Sequence, residues 1–185
     1  MNPLTRPLRR ALATRRSKVA TVVAAGAAVF LVASGVLFVW PRSDQPEPAG
    51  AILSLNGPME SARAAVAISL AERGLAPVLL FSEGHPNGPC PEVAGVDVVC
   101  FAPQPARTVG EISFAAAYAR KHGIDSMIVV AGHTQTTRAR LLSARCFAGR
   151  TMVVASPESW WRLPYDVLYE WGAMFKALVV DRGCD

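Results

Sequence analysis

The chain has no acidic residue before Asp44 and no charge of either sign from Val19 to Trp40. The stretch left uncharged, VATVVAAGAAVFLVASGVLFVW, is 22 residues long. As a helix rising ~1.5 Å per residue it crosses a hydrocarbon layer of ~30 Å, which identifies residues 19–40 as a transmembrane signal anchor. A cleaved secretory signal is the alternative reading, but its apolar region runs to only ~7–15 residues and ends in a small-x-small site. This run is longer and ends in Trp40-Pro41. Arg6, Arg9, Arg10, Arg15, Arg16 and Lys18 precede it. The positive-inside rule holds such a tail, residues 1–18, in the cytoplasm and sends the rest outward. The expectation is a single-pass plasma-membrane protein with its domain outside the cell. No twin-arginine export consensus follows Arg15-Arg16.

Other absences narrow the chemistry. There is no CxxC pair, no HExxH metal helix and no GxSxG nucleophile elbow, and Asn56-Gly57-Pro58 is not a glycine-rich phosphate loop. No metal is expected and no motif names a cofactor. A basic patch for nucleic acid is missing too. The six tail cations belong to 19 Lys+Arg, leaving 13 against 14 Asp+Glu and a balance of −1 for residues 41–185, so no nucleic-acid partner is expected.

Four cysteines are present, Cys90, Cys100, Cys146 and Cys184, all beyond the apolar run. An even number facing an oxidising compartment reads as two disulfides. Of three possible pairings we favour Cys90 with Cys100, which closes a short loop, and Cys146 with Cys184, which pins the chain end. The loop-entropy relation gives them roughly 3 and 4 kcal/mol.

Residues 41–50, PRSDQPEPAG, read as an extended and mobile spacer. Residues 51–185 then alternate short apolar runs with amphipathic stretches. AILSL (51–55) leads to a helical pattern from Met59 to Arg73 closed by Gly74. PVLLFS (77–82) and VDVVCF (96–101) precede a helix from Thr108 to His122, closed by Gly123. SMIVVA (126–131) leads to Gln135–Cys146, and TMVVA (151–155) to a last helix from Pro164 to Arg182. Strands rich in Val, Ile and Leu on both faces predict an α/β fold with a parallel sheet of about five strands and helices on both faces. Thr108-Val-Gly-Glu111 is a capping-box pattern. The stripe Leu168, Trp171, Phe175 and Leu178 on the last helix reads as core, with a surface resting on lipid as the alternative. Trp160 and Trp161 are expected at a site mouth or at the membrane interface.

Ligands of an open parallel sheet collect at the carboxyl ends of its strands, beside helix N-termini. Asn56, Gly57, Ser82, Glu83, Arg107, Thr108 and the run Gly132–Thr137 fall there. Arg63 and Arg138 each lie near a helix start on the inward stripe, where a guanidinium needs a carboxylate or an anion. The partner is either a bound anion such as phosphate or an internal acid, Glu83, Glu60 or Glu170. Arg140 points away and reads as a solvated surface residue. Of three histidines, His133 alone is placed for acid–base work at the ligand edge.

Several segments also resemble the YdcF/SanA/ElyC-like family of bacterial envelope proteins, over roughly residues 50–184. ESARAAVAISLAERGLAPVLLFSEG resembles its arginine-bearing first helix, strand and Ser-Gly-type loop, mapping Arg63, Ser82 and Gly84. ARTVGEISFAAAYARKHG maps Thr108 and Glu111, IVVAGHTQTTRARLL maps Arg138 and Ala139, and YEWGAMFKAL maps Glu170. Leu55-Asn56-Gly57-Pro58 replaces the usual glycines, Arg107 an asparagine, and Gln135 and Tyr169 two histidines. The resemblance implies a Rossmann-like fold and an envelope or cell-wall role. The ligand-binding set expected is Asn56, Gly57, Arg63, Ser82, Glu83, Arg107, Thr108, Gly132, Gln135, Arg138 and Glu170. The favoured function is binding of an anionic small molecule, whether phosphate-bearing, nucleotide-like or a lipid-carrier headgroup. A transferase or phosphoester hydrolase with His133 or Glu83 as base is the second reading, and a structural envelope protein without ligand the third.

Overall fold

The computed structural model of the chain describes residues 5–57, 60–82 and 90–184. The loop that holds Glu83, Gly84 and His85, and the pair Pro58-Met59, lie outside them. Helix α1 runs over Thr5–Ser34 and ends in a π-helical turn, Gly35–Val39. Its segment Ser17–Val39 is 23 residues long, and long and apolar enough to cross a membrane.

The domain beyond it is the α/β fold predicted from the alternation. Strands β1 (Ala51–Ser54), β2 (Val78–Ser82), β3 (Asp97–Phe101), β4 (Ser126–Gly132) and β5 (Arg150–Ser156) form one sheet in the order β3-β2-β1-β4-β5. All four pairings are parallel. Helix α2 (Glu60–Glu72) covers one face, packing Ala67, Leu70 and Ala71 on Ile52, Leu79, Ile128 and Val130. Helices α3 (Thr108–His122) and α4 (Thr136–Cys146) cover the other, with Ile112, Ala115, Ala139 and Leu142 on Leu53, Leu80, Met127 and Val129. Burial on both faces explains why β1 and β4 read as unbroken apolar runs. Helix α5 (Leu163–Val179) follows a 3-10 turn, Trp160–Arg162, and reaches this second cluster through Ala177.

Both favoured disulfides are formed. Cys90–Cys100 closes the loop before β3, with Cα atoms 5.9 Å apart, and Cys146–Cys184 ties the end of α4 to the chain terminus, at 5.3 Å. Gly123 ends α3 in the left-handed conformation, at φ 68°.

Three expectations are corrected. The stripe Leu168, Phe175 and Leu178 is not core: these side chains are 64, 66 and 47% exposed. The inward residues of α5 are instead Glu170, Met174 and Ala177. Residues 41–50 are extended but not a loose spacer, for they run along the edge strand β5. The Asp44 N–H donates to the Val153 carbonyl, the Val153 N–H to Asp44 Oδ2, and the Ala155 N–H to Ser43 Oγ, all at 2.9–3.1 Å. An edge strand presents unpaired backbone groups, and a strap of this kind covers them. Nor is Arg140 merely solvated. It donates from Nη1 to Asp44 Oδ2 at 2.7 Å and from Nη2 to the Arg42 carbonyl at 3.1 Å, which fastens the strap to α4.

Partial burial of Asp44 pushes its pKa up, but the Arg140 bond, the Val153 N–H and the charges of Arg140 and Arg42 outweigh it, so the value falls below 3.8. The strap's aspartate therefore contributes fully above pH 3.8, and the contribution is lost as pH falls through the lowered value. Asp44→Ala is expected to expose residues 41–48 to limited proteolysis at neutral pH. The unaltered chain should show the same cleavage only below pH 3.8 with an acid protease. Equal resistance of variant and parent at pH 7 would contradict the account.

Candidate functional site

Strand order reverses between β1 and β4, and a cleft of about 480 Å³ opens beyond their carboxyl ends. Four loops line it: Asn56 and Gly57 after β1, Ala102 to Thr108 after β3, Thr134 and Gln135 after β4, and Glu158 and Ser159 after β5. Arg63, Glu111, Arg138, Arg162, Asp166, Tyr169 and Glu170 reach it from the helices and the 3-10 turn.

Arg63 lies in the first turns of α2, on the stripe that faces the sheet, and is 2% exposed. Its fork crosses the sheet edge beneath Gly57, where a Cβ would stand 3.0 Å from Nη2 and where φ is 133°. Both the conformation and the close approach call for glycine. Arg63 Nη1 donates to Gln135 Oε1 at 3.4 Å, and the Gly132 N–H donates to the same oxygen at 3.3 Å. Gln135 Nε2 donates in turn to Thr108 Oγ1 at 3.0 Å. Gln135 thus joins α2, β4 and the start of α3.

Arg138 is held more tightly. Its Nε and Nη2 donate to the two oxygens of Glu170 at 2.9 and 2.8 Å, and Nη1 donates to Thr108 Oγ1 at 2.7 Å. Burial would lower its pKa, but the bonds and charge of Glu170 outweigh that and raise it. For Arg138 the internal carboxylate is the partner that the inward placement demanded. Thr108 Oγ1 accepts from both Gln135 and Arg138. A hydroxyl with both lone pairs engaged meets a further group only as a donor.

Glu111, at the third position after Thr108, does not close a capping box. No side chain caps α3, and Glu111 Oε1 accepts the Asn56 N–H at 2.6 Å instead. It is 2% exposed. Desolvation raises its pKa, outweighing the Ser82 hydroxyl, the Asn56 N–H and the charges of Arg63 and Arg138. Ser82 is buried beneath Glu111 rather than lining the cleft.

Arg107 lines the rim and pairs with Asp181 at 2.9 Å. The Cys146–Cys184 bridge holds the tail where that pair can form, helped by Arg145 Nη1, which donates to the Ala177 carbonyl at 2.6 Å. His133 is not brought to the cleft. Its Nε2 lies 2.9 Å from the Val39 carbonyl, against the end of α1. Glu83 falls outside the described residues.

Glu158, Arg162 and Asp166 went unnoticed in the sequence. Glu158 Oε2 accepts from the Thr134 N–H and hydroxyl, both at 3.1 Å. A Cβ on Gly132 would collide with its Oε1 and come within 2.9 Å of Arg63 Nη1, so glycine there lets the two side chains share one spot. The signal was available: Glu158 follows the carboxyl end of β5, where ligand-facing residues gather. Among the described residues no group of His, Cys, Asp or Glu could hold a metal ion. No family model, curated protein or solved structure matches the chain.

Two outcomes are expected. Glu170→Ala leaves a buried guanidinium unpaired, at a cost of ~3–5 kcal/mol, whereas replacing Arg138 and Glu170 together by Met and Leu should recover most of that loss in chemical denaturation. Glu111, with its pKa raised above 4.5, adds stability below that pH and loses it as pH rises through the folded value. The Tm of the parent minus that of Glu111→Gln should therefore shrink as pH rises from below 4.5. A pH-independent difference would refute the assignment.

Proposed function

We propose that this chain is a membrane-anchored, outward-facing domain that binds a small anionic molecule in the cleft between α3, α4 and α5. The cations of residues 6–18, ahead of the apolar run, support that orientation, and two disulfides suit an oxidising exterior. One observation carries the ligand class. Thr108 has both lone pairs engaged and so offers only a proton, at the uncapped start of α3, beside Arg138 and linked to Arg63 through Gln135. A hydroxyl that can only donate, set at a helix N-terminus, favours a phosphate or carboxylate oxygen. The resemblance to the YdcF/SanA/ElyC-like family supports a place in envelope biogenesis and fits a phosphate-bearing, nucleotide-like or lipid-headgroup ligand.

A second reading, a transferase or phosphoester hydrolase, is favoured by Glu111. A buried carboxyl with a raised pKa beside a cleft suits proton donation. His133 does not serve this reading, because its ring is engaged at α1.

Titration calorimetry of the full chain with inorganic phosphate, a nucleoside monophosphate and glycerol phosphate tests the binding. At least one should bind, and Thr108→Val should weaken it about tenfold or more, the effect of losing one hydrogen bond to a charged group. Glu170→Gln, which frees positive charge on Arg138, should tighten it. No binding heat with any probe, or equal affinity in a folded Thr108→Val variant, would overturn the proposal. Turnover of a phosphoester that Glu111→Gln abolishes would favour the enzyme.

A further inference from the structure

Trp171 on α5 is packed against the apolar helix α1, not against the sheet. Its ring stacks on Phe30 and meets Phe38 edge-on, both at 5.4 Å between centroids, and its Nε1 donates to Ser34 Oγ at 2.9 Å. Thr137 Oγ1 on α4 donates to the Leu37 carbonyl at 2.5 Å, and Phe38 is fully buried. The domain therefore grips the last two turns of the apolar segment and the π-helical turn that follows.

That grip fixes a depth. Lys18 and the arginines before it keep the hydrocarbon boundary of α1 no earlier than Val19. At ~1.5 Å per residue, Phe30 lies about 16 Å further on, just beyond the middle of a ~30 Å layer, and Phe38 near its far edge. A tryptophan that touches both lies between those levels.

The rest of α5 has the surface that such a position requires. From Tyr165 to Val180 its exposed side chains are Tyr165, Leu168, Tyr169, Phe175, Lys176 and the Leu178–Val180 end, with one charge among them. Trp160 and Trp161, in the preceding turn, are 85 and 68% exposed. Exposed aromatics at the start, Leu168 and Phe175 on one face, aliphatic side chains at the far end and a lysine able to extend toward headgroups match an interfacial helix. Through Trp171 this face adjoins the apolar segment, whose own exposed side chains, Val22, Val23, Val29, Leu31, Val32 and Val36, are apolar as well, and exposed apolar surface shared by two elements marks an interaction face.

We infer that α5 is a second membrane-contacting element, embedded by its Leu168–Phe175 face in the leaflet on the domain's side, so that the domain lies in the membrane surface and not on a stalk above it. The occupant of this face is lipid. The inference rests on α1 crossing the bilayer, and the experiment separates the two.

The full chain is reconstituted in phosphatidylethanolamine–phosphatidylglycerol vesicles with the photoreactive residue p-benzoyl-phenylalanine at one of three exposed positions: Phe175, Val23 on α1, or Glu72 on α2. Irradiation is followed by mass spectrometry for lipid adducts. Adducts at Val23 and Phe175 but not at Glu72 are expected. An adduct at Val23 with none at Phe175, or with a chain-to-chain product at Phe175, overturns the inference and leaves the anchor intact; the second product would assign the face to another copy of the chain. Absence of lipid at Val23 removes both.

Discussion

A buried, bidentate ion pair between Arg138 and Glu170 holds three helices together. Arg138 comes from the first turn of α4, Glu170 from the middle of α5, and Thr108 from the first turn of α3, and each is bonded to Arg138 or accepts from it. Charge in a low-dielectric interior is tolerated only with such complete pairing. Of the buried side chains on the inward side of α5, Met174 and Ala177 pack without direction, and Glu170 alone carries a directed side-chain bond. The pair thus helps set where α5 lies, and α5 supplies Asp166 and Tyr169 to the cleft or its rim, with Arg162 in the turn just before it.

The same constraint reaches the anchor. Because Glu170 faces Arg138, the neighbouring Trp171 is turned toward α1, and Ser34 and Phe38 meet it. The chain then leaves α1 along β5, held by Asp44 to Arg140, two residues from Arg138 on α4. Helix α4 therefore carries the cleft on one side and the strap on the other. A domain held in this way is not a bead on a string, and its orientation relative to α1 follows from side-chain bonds instead of linker length.

The sheet was legible because its strands are buried on both faces and so read as continuous apolar runs, and because Gly74 and Gly123 mark helix ends by backbone conformation alone. Arg63 and Arg138 were legible for the opposite reason, as charges on stripes that had to face inward. What failed was the assignment of medium. Apolar periodicity identifies a face of α5 but not whether protein or lipid covers it, and the inward face carries Glu170 in place of a large hydrophobe. Residues 41–50 read as a spacer because prolines break helices and strands, yet Ser43 and Asp44 precede most of them and can pair with an edge strand. Pairings between side chains distant in sequence, such as Glu158 with Thr134, have no local pattern to reveal them.

Charge balance in the cleft limits what an anion gains there. Four arginines line it, Arg63, Arg107, Arg138 and Arg162, facing Glu111, Glu158, Asp166 and Glu170. Glu170 occupies most of the Arg138 fork, and Asp181 meets Arg107. Desolvation raises the pKa of Glu111, against the Ser82 hydroxyl, the Asn56 N–H and the charges of Arg63 and Arg138. With four arginines facing four carboxylates, net positive charge would favour an anion there less than directed donors already held in place, the Thr108 hydroxyl above all. Recognition built that way selects ligand shape over ligand charge, since a fixed donor rewards an oxygen only at one position.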